Sequence, residues 1–161
     1  MTRGAALFVA GILVGLAVQT AVAQKRTDVY LNHVGIAAPS VPEALAFYTQ
    51  KLGFREAFRQ TSPDGKLVSA YVQVSRNTFI EIQEANAQRP AGVSHFGFAV
   101  DSIEDAVKMF RAGGATASDP GAPSAFSHAR LANVTDLNGV RIELAELTPE
   151  SLQRKAIDSW K

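Results

Sequence analysis

Apolar and polar positions alternate from Asp28 to Ala38, with Val34, Ile36 and Ala38 on one side and His33, Gly35 and Ala37 on the other. That period of two predicts a strand. Pro39 to Glu43 ends it and opens a helix, because Ser40 can cap and Glu43 stands three residues on. Ala44, Leu45, Phe47, Tyr48 and Leu52 then recur at helical spacing, and Gly53 offers a stop. Phe54 to Gln60 reads as a short strand closed by the turn Ser62-Pro63-Asp64-Gly65. Lys66 to Val74 and Thr78 to Glu84 form a hairpin around Ser75-Arg76-Asn77. A polar linker, Ala85 to Gly92, follows.

The plan then repeats. Val93 to Val100 predicts a strand and Ile103 to Ala112 a helix, with Ser102 and Asp105 as its capping pair and Gly113-Gly114 behind it. Asp119 to Ser127 is a Pro/Gly/Ser-rich loop, the kind of segment that carries substrate contacts. Ala129 to Thr135 and Val140 to Leu147 are strands joined by the Asn-Gly turn Asp136-Leu137-Asn138-Gly139. A last helix starts near Thr148-Pro149-Glu150 and runs towards Trp160, with Gln153-Arg154-Lys155 as its polar face.

The repetition extends to identity. Leu31-Asn32-His33-Val34-Gly35-Ile36-Ala37 is echoed by Val93-Ser94-His95-Phe96-Gly97-Phe98-Ala99, at an offset of 62 residues. The same offset carries Ile80-Glu81-Ile82-Gln83-Glu84 onto Ile142-Glu143-Leu144-Ala145-Glu146. The expected fold is therefore α+β, with two βαβββ modules over residues 29–85 and 93–147 and a C-terminal helix over 149–161. Glu81 opposes Ile80 and Ile82, Glu143 opposes Ile142 and Leu144, and His95 opposes Phe96 and Phe98. The apolar faces must pack under the helices. Both histidines and both glutamates then share the other face, and a pseudo-two-fold brings them into one cleft beside Gly35, Ala37, Gly97 and Ala99. Those small residues leave room for a ligand.

Arg3, the apolar run Ala5 to Val18 and Ala21-Val22-Ala23 before Gln24 describe a secretory signal peptide over residues 1–23. Export to a periplasmic or extracellular space is expected, an uncleaved N-terminal anchor being the alternative. Residues 24–148 form one domain before the terminal helix. Without Arg3 the chain carries 15 basic and 15 acidic residues. That balance points away from nucleic acid, and the membrane enters only through an uncleaved leader. No cysteine is present, so stability rests on packing and on a metal if one binds.

Two imidazoles and two carboxylates suit one divalent ion such as Zn, Ni, Co, Mn or Fe. Taken singly, His33 reads as an ordinary strand histidine and Glu81 as a solvated one. Jointly, two inward carboxylates repel and need protonation or a cation. Tyr71, Asn133 and Arg141 fall on the cleft-facing parity, with a surface or ion-pair role as the other reading of Arg141. His128, beside the flexible loop, reads first as a surface residue and second as a cleft residue.

Leu31-Asn32-His33-Val34-Gly35-Ile36, with Ala44-Leu45-Ala46-Phe47-Tyr48 and Leu52-Gly53-Phe54, resembles the vicinal-oxygen-chelate superfamily. That superfamily includes glyoxalase I, methylmalonyl-CoA epimerase, extradiol dioxygenases and bleomycin-resistance proteins. The resemblance spans Tyr30 to Leu147. It implies paired βαβββ modules around a curved mixed-sheet cleft, a divalent metal on His33, Glu81, His95 and Glu143, and a small-molecule substrate with vicinal oxygens. It also implies a homodimer. The ligand set is most similar to glyoxalase I, which implies Glu143 as the catalytic base and Glu81 as second choice. Glyoxalase I carries an Arg four residues after its first His and an Asn four after its first Glu, both for glutathione. Ala37 and Ala85 stand there instead. Three classes follow: a glyoxalase I- or epimerase-like lyase or isomerase, an Fe(II) dioxygenase on His33, His95 and Glu143, and a metal-dependent binding or resistance protein.

Overall fold

The computed structural model describes residues 27–161, so the leader expected over residues 1–23 lies outside it. The chain runs β1 (Val29–Ala38), α1 (Val41–Ala46), β2 (Arg55–Thr61), β3 (Leu67–Ser75), β4 (Thr78–Glu84), β5 (Gly92–Val100), α2 (Ile103–Ala112), β6 (Arg130–Thr135), β7 (Arg141–Glu146) and α3 (Leu152–Asp158). Ser40 caps α1 by accepting from the Glu43 amide, and Ser102 caps α2 from Asp105 in the same way. One detail escaped the periodicity: α1 does not stop at Ala46 but widens into a π-helical turn, Phe47–Lys51. The chain then leaves through Gly53, whose φ of 72° suits a residue without a Cβ.

All seven strands form one sheet in the order β2-β3-β4-β1-β5-β7-β6. The two modules meet edge to edge at its centre, where β1 and β5 run antiparallel, and each binds its own module's last strand in parallel. The second module keeps the plan with its second strand reduced to one bridge, Ala117 to Val134. Residues 119–124 there are Asp-Pro-Gly-Ala-Pro-Ser, and proline has no N–H to donate to a ladder.

α1 and α2 cover one face. Val41 and Leu45 pack on Ala70, Val72 and Ile82, while Ile103, Ala106 and Val107 pack on Ala132, Val134 and Leu144. α3 covers part of the opposite face: Ala156 and Ile157 join Tyr71, Phe79, Ala99, Ala145 and Leu147. This corrects the polar-face reading of its first turn, because Gln153 is 0 % exposed on the same side of the helix as Ala156 and Ile157. Among the described residues no helix is long and apolar enough to cross a membrane.

Candidate metal centre

Strand register assembles the site. His33 pairs with Gly97 across the central ladder and His95 with Gly35. Each imidazole therefore lies over the glycine of the other module. A Cβ on Gly35 would come within 2.0 Å of the His95 ring, and one on Gly97 within 1.9 Å of the His33 ring. The room those glycines leave is filled by histidine, and this is a more specific use than the open space expected of small residues. Glu81 lies beside Gly35 on β4 and Glu143 beside Gly97 on β7, so the same register delivers both carboxylates.

The four side chains converge within one chain. His33 Nε2 is 3.1 Å from His95 Nε2 and 3.5 Å from Glu143 Oε1, and Glu81 Oε2 is 3.0 Å from His95 Nε2 and 3.8 Å from His33 Nε2. Adjacent donors on one ion at about 2.1 Å are separated by about 3.0–3.4 Å. Three donors, from His33, His95 and Glu143, meet the spacing and the chemistry of a site for one divalent ion, whereas Glu81 lies outside that group, near His95 but 3.8 Å from His33. His33, His95 and Glu143 bring their donor atoms within 4.8 Å of one another, a group that can hold a metal.

Each of the four is steadied from outside. Asn32 Oδ1 lies 3.1 Å from His33 Nδ1, and Asn32 itself is oriented by its amide, which donates to Asn77 O at 3.2 Å. An acceptor at Nδ1 places the proton there and leaves the His33 Nε2 lone pair bare. Ser94 Oγ is 2.9 Å from His95 Nδ1. Gln83 Nε2 donates to Glu81 Oε1 at 2.9 Å, and Arg141 Nη1 donates to Glu143 Oε2 at 2.9 Å and to Asn133 Oδ1 at 3.1 Å. Asn32 and Ser94 are missing from the sequence-based site although the 62-residue offset aligns them. Their signal was their place immediately before each histidine. A register shift between Leu31 and His33 makes Asn32 an extra residue in its strand, and both Asn32 and His33 are 0 % exposed.

Burial governs the electrostatics. It drives the His33 pKa down to about 4, against the pull of Glu81, so the ring is neutral near pH 7. Burial pushes Glu81 up, but the His95 hydrogen bond and the two imidazoles outweigh it and leave its carboxyl below the usual range. Glu143 moves the other way, raised by burial and by the charge of Glu81 in spite of Arg141. Burial, with both carboxylates, keeps the Tyr71 phenol protonated far above its ordinary value.

Tyr71 lies at the site, its ring edge-on to His33 at 5.6 Å and stacked on Phe58 at 4.5 Å, with Phe126 from the 119–127 loop at 6.0 Å. Asn133 and Arg141 border Glu143, and Arg141 is both cleft-facing and ion-paired. His128 is apart from the group: it is exposed in the turn ahead of β6, with φ 60°. A cavity of about 500 Å³ lined by Gln60, Ser69, Gln83, Arg89 and Phe126 begins one hydrogen bond from Glu81. A second, of about 490 Å³ between Gly53, Arg55, Gln73 and Trp160, contains none of the four.

Residues 30–144 match the Glyoxalase/Bleomycin resistance protein/Dioxygenase superfamily. The chain belongs to that superfamily. It is 27 % identical over 134 residues to a "Probable lactoylglutathione lyase, chloroplastic" of Arabidopsis thaliana, covering 74 % of this chain and 37 % of that one. The chain thus spans little more than a third of that relative's length. Methylmalonyl-CoA epimerase from Mycobacterium tuberculosis superposes with a TM-score of 0.63 at 23 % identity, covering 74 % of this chain and 89 % of that one. The 2,3-dioxygenase LapB from Pseudomonas sp. KL28 gives 0.60 at 20 %, covering 72 % of this chain and 41 % of that one. These likenesses show the fold, one mixed sheet with two packed modules, in superfamily neighbours of lyase, epimerase and dioxygenase type.

Proposed function

We propose that the protein is a metal-dependent enzyme of the glyoxalase and epimerase type, transferring a proton beside the carbonyl of a small vicinal-oxygen compound. The observation that carries this reading is the convergence of four donors from two modules, each with its own outer hydrogen bond. His33, Glu81, His95 and Glu143 would hold one divalent ion. Such an ion, when bound, polarises a carbonyl oxygen and so acidifies the neighbouring C–H. The rest of the chemistry is the chain's own. Glu143 takes the proton, its carboxylate oriented through Oε2 by Arg141. Glu81 stays ionised and keeps His95 in place. Tyr71, neutral and buried, bounds the site without adding charge.

Glutathione is not the handle in this reading. Ala37 and Ala85 offer neither a cation for its carboxylate nor an amide to orient it. Each missing charge-assisted hydrogen bond costs on the order of 1.5–3 kcal/mol. The protein works outside the cytoplasm after loss of residues 1–23, and as a homodimer. A second reading is supported by the His33/His95/Glu143 group itself, because two histidines and one carboxylate suit a non-haem Fe(II) oxygenase. Glu81, 3.0 Å from His95, favours the first reading, since a fourth protein ligand takes a position that O₂ needs.

The test is metal analysis of the purified protein, followed by assay of the loaded form. One ion per chain is expected, with His95→Ala losing both the ion and its thermal stabilisation. The loaded protein should exchange the α-protons of hydroxyacetone in D₂O and turn over the methylglyoxal–glutathione hemithioacetal poorly. Unchanged metal content in His95→Ala overturns the site. Rapid hemithioacetal turnover overturns the view of the handle. Oxygen uptake with catechol establishes the second reading.

A further inference from the structure

The cavity of about 500 Å³ beside Glu81 takes no part in the proton-transfer chemistry. Strand register places it on the metal face of the sheet, one row beyond the centre. Gln60, Ser69 and Gln83 lie side by side on β2, β3 and β4, and the row before them is Phe58, Tyr71 and Glu81. Phe126 borders the cavity, its ring 5.5 Å from Phe58 and 6.0 Å from Tyr71, and Ala85 adds a second apolar surface. Gln83 belongs to both places: it lines the cavity, and its Nε2 donates to Glu81 Oε1 at 2.9 Å.

The same cavity holds a cation in a fixed pose. Asn86 and Arg89 close a tight turn, with Asn86 N donating to Arg89 O at 2.9 Å and Arg89 N to Asn86 O at 3.1 Å and to Asn86 Oδ1 at 2.9 Å. From that turn the half-buried Arg89 side chain folds back on β4, and its Nε and Nη2 donate to Glu84 O at 3.2 and 2.8 Å. One edge of the guanidinium is thereby pinned. Its other edge, Nη1 with the second Nη2 hydrogen, has no partner among the described residues. The carboxylate of Glu84 is taken by Lys66, so Arg89 forms no ion pair among those residues. A guanidinium held along one edge presents two parallel N–H groups along the next, the geometry that a carboxylate accepts.

We propose that this cavity binds a small carboxylate with a compact apolar body, Arg89 gripping the carboxylate and Phe126 and Ala85 facing the body. The site adjoins the metal centre through Gln83 but needs no metal, so it goes beyond the proton-transfer reading and does not depend on it. Two sources supply this chemistry: the tail of a substrate chelated at the metal centre, or a separate molecule bound beside it.

Benzoate and benzamide test it, being alike in ring and size and different in charge. In NMR titrations of the metal-free protein, benzoate should bind about tenfold more tightly than benzamide, the worth of a charge-assisted pair of hydrogen bonds. Arg89→Gln should bring the two within about twofold. That variant also gives up the bonds to Glu84 O, so Ala85→Phe is the second: it leaves Arg89 in place, fills the cavity and should abolish benzoate binding. Benzoate bound no more tightly than benzamide overturns the proposal. So does an Arg89→Gln variant that keeps the preference, or an Ala85→Phe variant that binds benzoate as before. None of these comparisons involves zinc, so a protein that takes up no zinc overturns the metal-centre reading alone. With benzoate binding established, the zinc-loaded protein separates the two sources. Displacement of benzoate by succinohydroxamate but not by butyrohydroxamate makes the carboxylate a substrate tail, and joint binding of benzoate and succinohydroxamate makes it a separate ligand.

Discussion

The two modules place the same residue types at the same points, yet surround them differently. Glu81 and Glu143 occupy equivalent positions beside the two exchanged glycines. Glu81 is steadied by neutral Gln83 two residues after it, and Glu143 by cationic Arg141 two residues before it. The charges alone would make Glu143 the stronger acid. The reverse holds: Glu81 is lowered by its contacts with the imidazoles, whereas Glu143 is raised by burial and by Glu81 itself. Proximity to the histidines outweighs a guanidinium whose side chain is 40 % exposed and screened by water. Paired titratable groups pushed apart in this way divide their roles. Glu81 is suited to be a constant charge, and Glu143 to accept and return a proton.

The largest expected effect breaks that division directly. With metal saturating, Glu143→Gln should cost about 10³-fold in the α-proton exchange rate. Glu81→Gln should instead weaken metal affinity by about 10–100-fold and leave the saturated rate within about tenfold. Isotope exchange by NMR and metal titration read the two separately. The reverse pattern would assign the base to Glu81.

Acid should expose His33 next. Its folded pKa of about 4 lies below the ordinary 6.5, so between those values the unfolded chain binds the extra proton. Stability of the metal-free protein should therefore fall as pH drops from about 6.5 towards about 4, by at most about 3 kcal/mol from this group. Glu81, lowered, adds a loss of the same sign through its own acid range. Glu143, raised, acts oppositely and favours the metal-free fold at low pH. Urea titrations at several pH values with chelator present check the window. His33→Asn should flatten the upper part of it.

The glycine exchange comes third. Gly35→Ala and Gly97→Ala each drive a methyl to about 2 Å from an imidazole held by strands on both sides. Overpacking of this kind costs about 1–3 kcal/mol. Both variants should lose stability and metal together, and by similar amounts, because the two positions are related by the pseudo-two-fold. A variant that kept full metal affinity would show that the histidines have another resting place.

Much of this was legible in the chain. A period of two in β1, β4, β5 and β7 is enough to place His33, Glu81, His95 and Glu143 on one face, and the boundaries of α2 follow from Ser102 and Gly113. What stayed hidden depends on neighbours distant in sequence. The pairing of His33 with Gly97 needs the register of two strands 62 residues apart, so two small residues looked like space for a ligand. Gln153 looked solvated because helical polarity is judged on the helix alone, while the sheet that buries it comes from four other strands. The shortfall of one strand in the second module was visible as Pro120 and Pro123, but the 62-residue offset argued for a full copy. The π-helical turn after Ala46 left no mark in the apolar spacing.

The smallest effect asks whether the modules differ only in their chemistry. Ser40 and Ser102 adopt nearly the same backbone, φ −136° and ψ 108° against φ −139° and ψ 119°, and their hydroxyls accept from the third residue on at 3.3 and 3.2 Å. An N-cap serine replaced by alanine costs about 1 kcal/mol, since one amide of the first turn loses its acceptor. Neither serine is near the cleft, for both helices lie on the opposite face of the sheet from the histidines. Ser40→Ala and Ser102→Ala should therefore each lower stability by about 1 kcal/mol, add within about 0.5 kcal/mol in the double variant, and leave metal affinity unchanged. Chemical denaturation reads the first two and metal titration the third. A clearly larger loss for Ser40 would place the difference between modules in the scaffold as well. The π-helical turn that follows α1 would then be the element to examine, because it makes that helix depend more on its single good end.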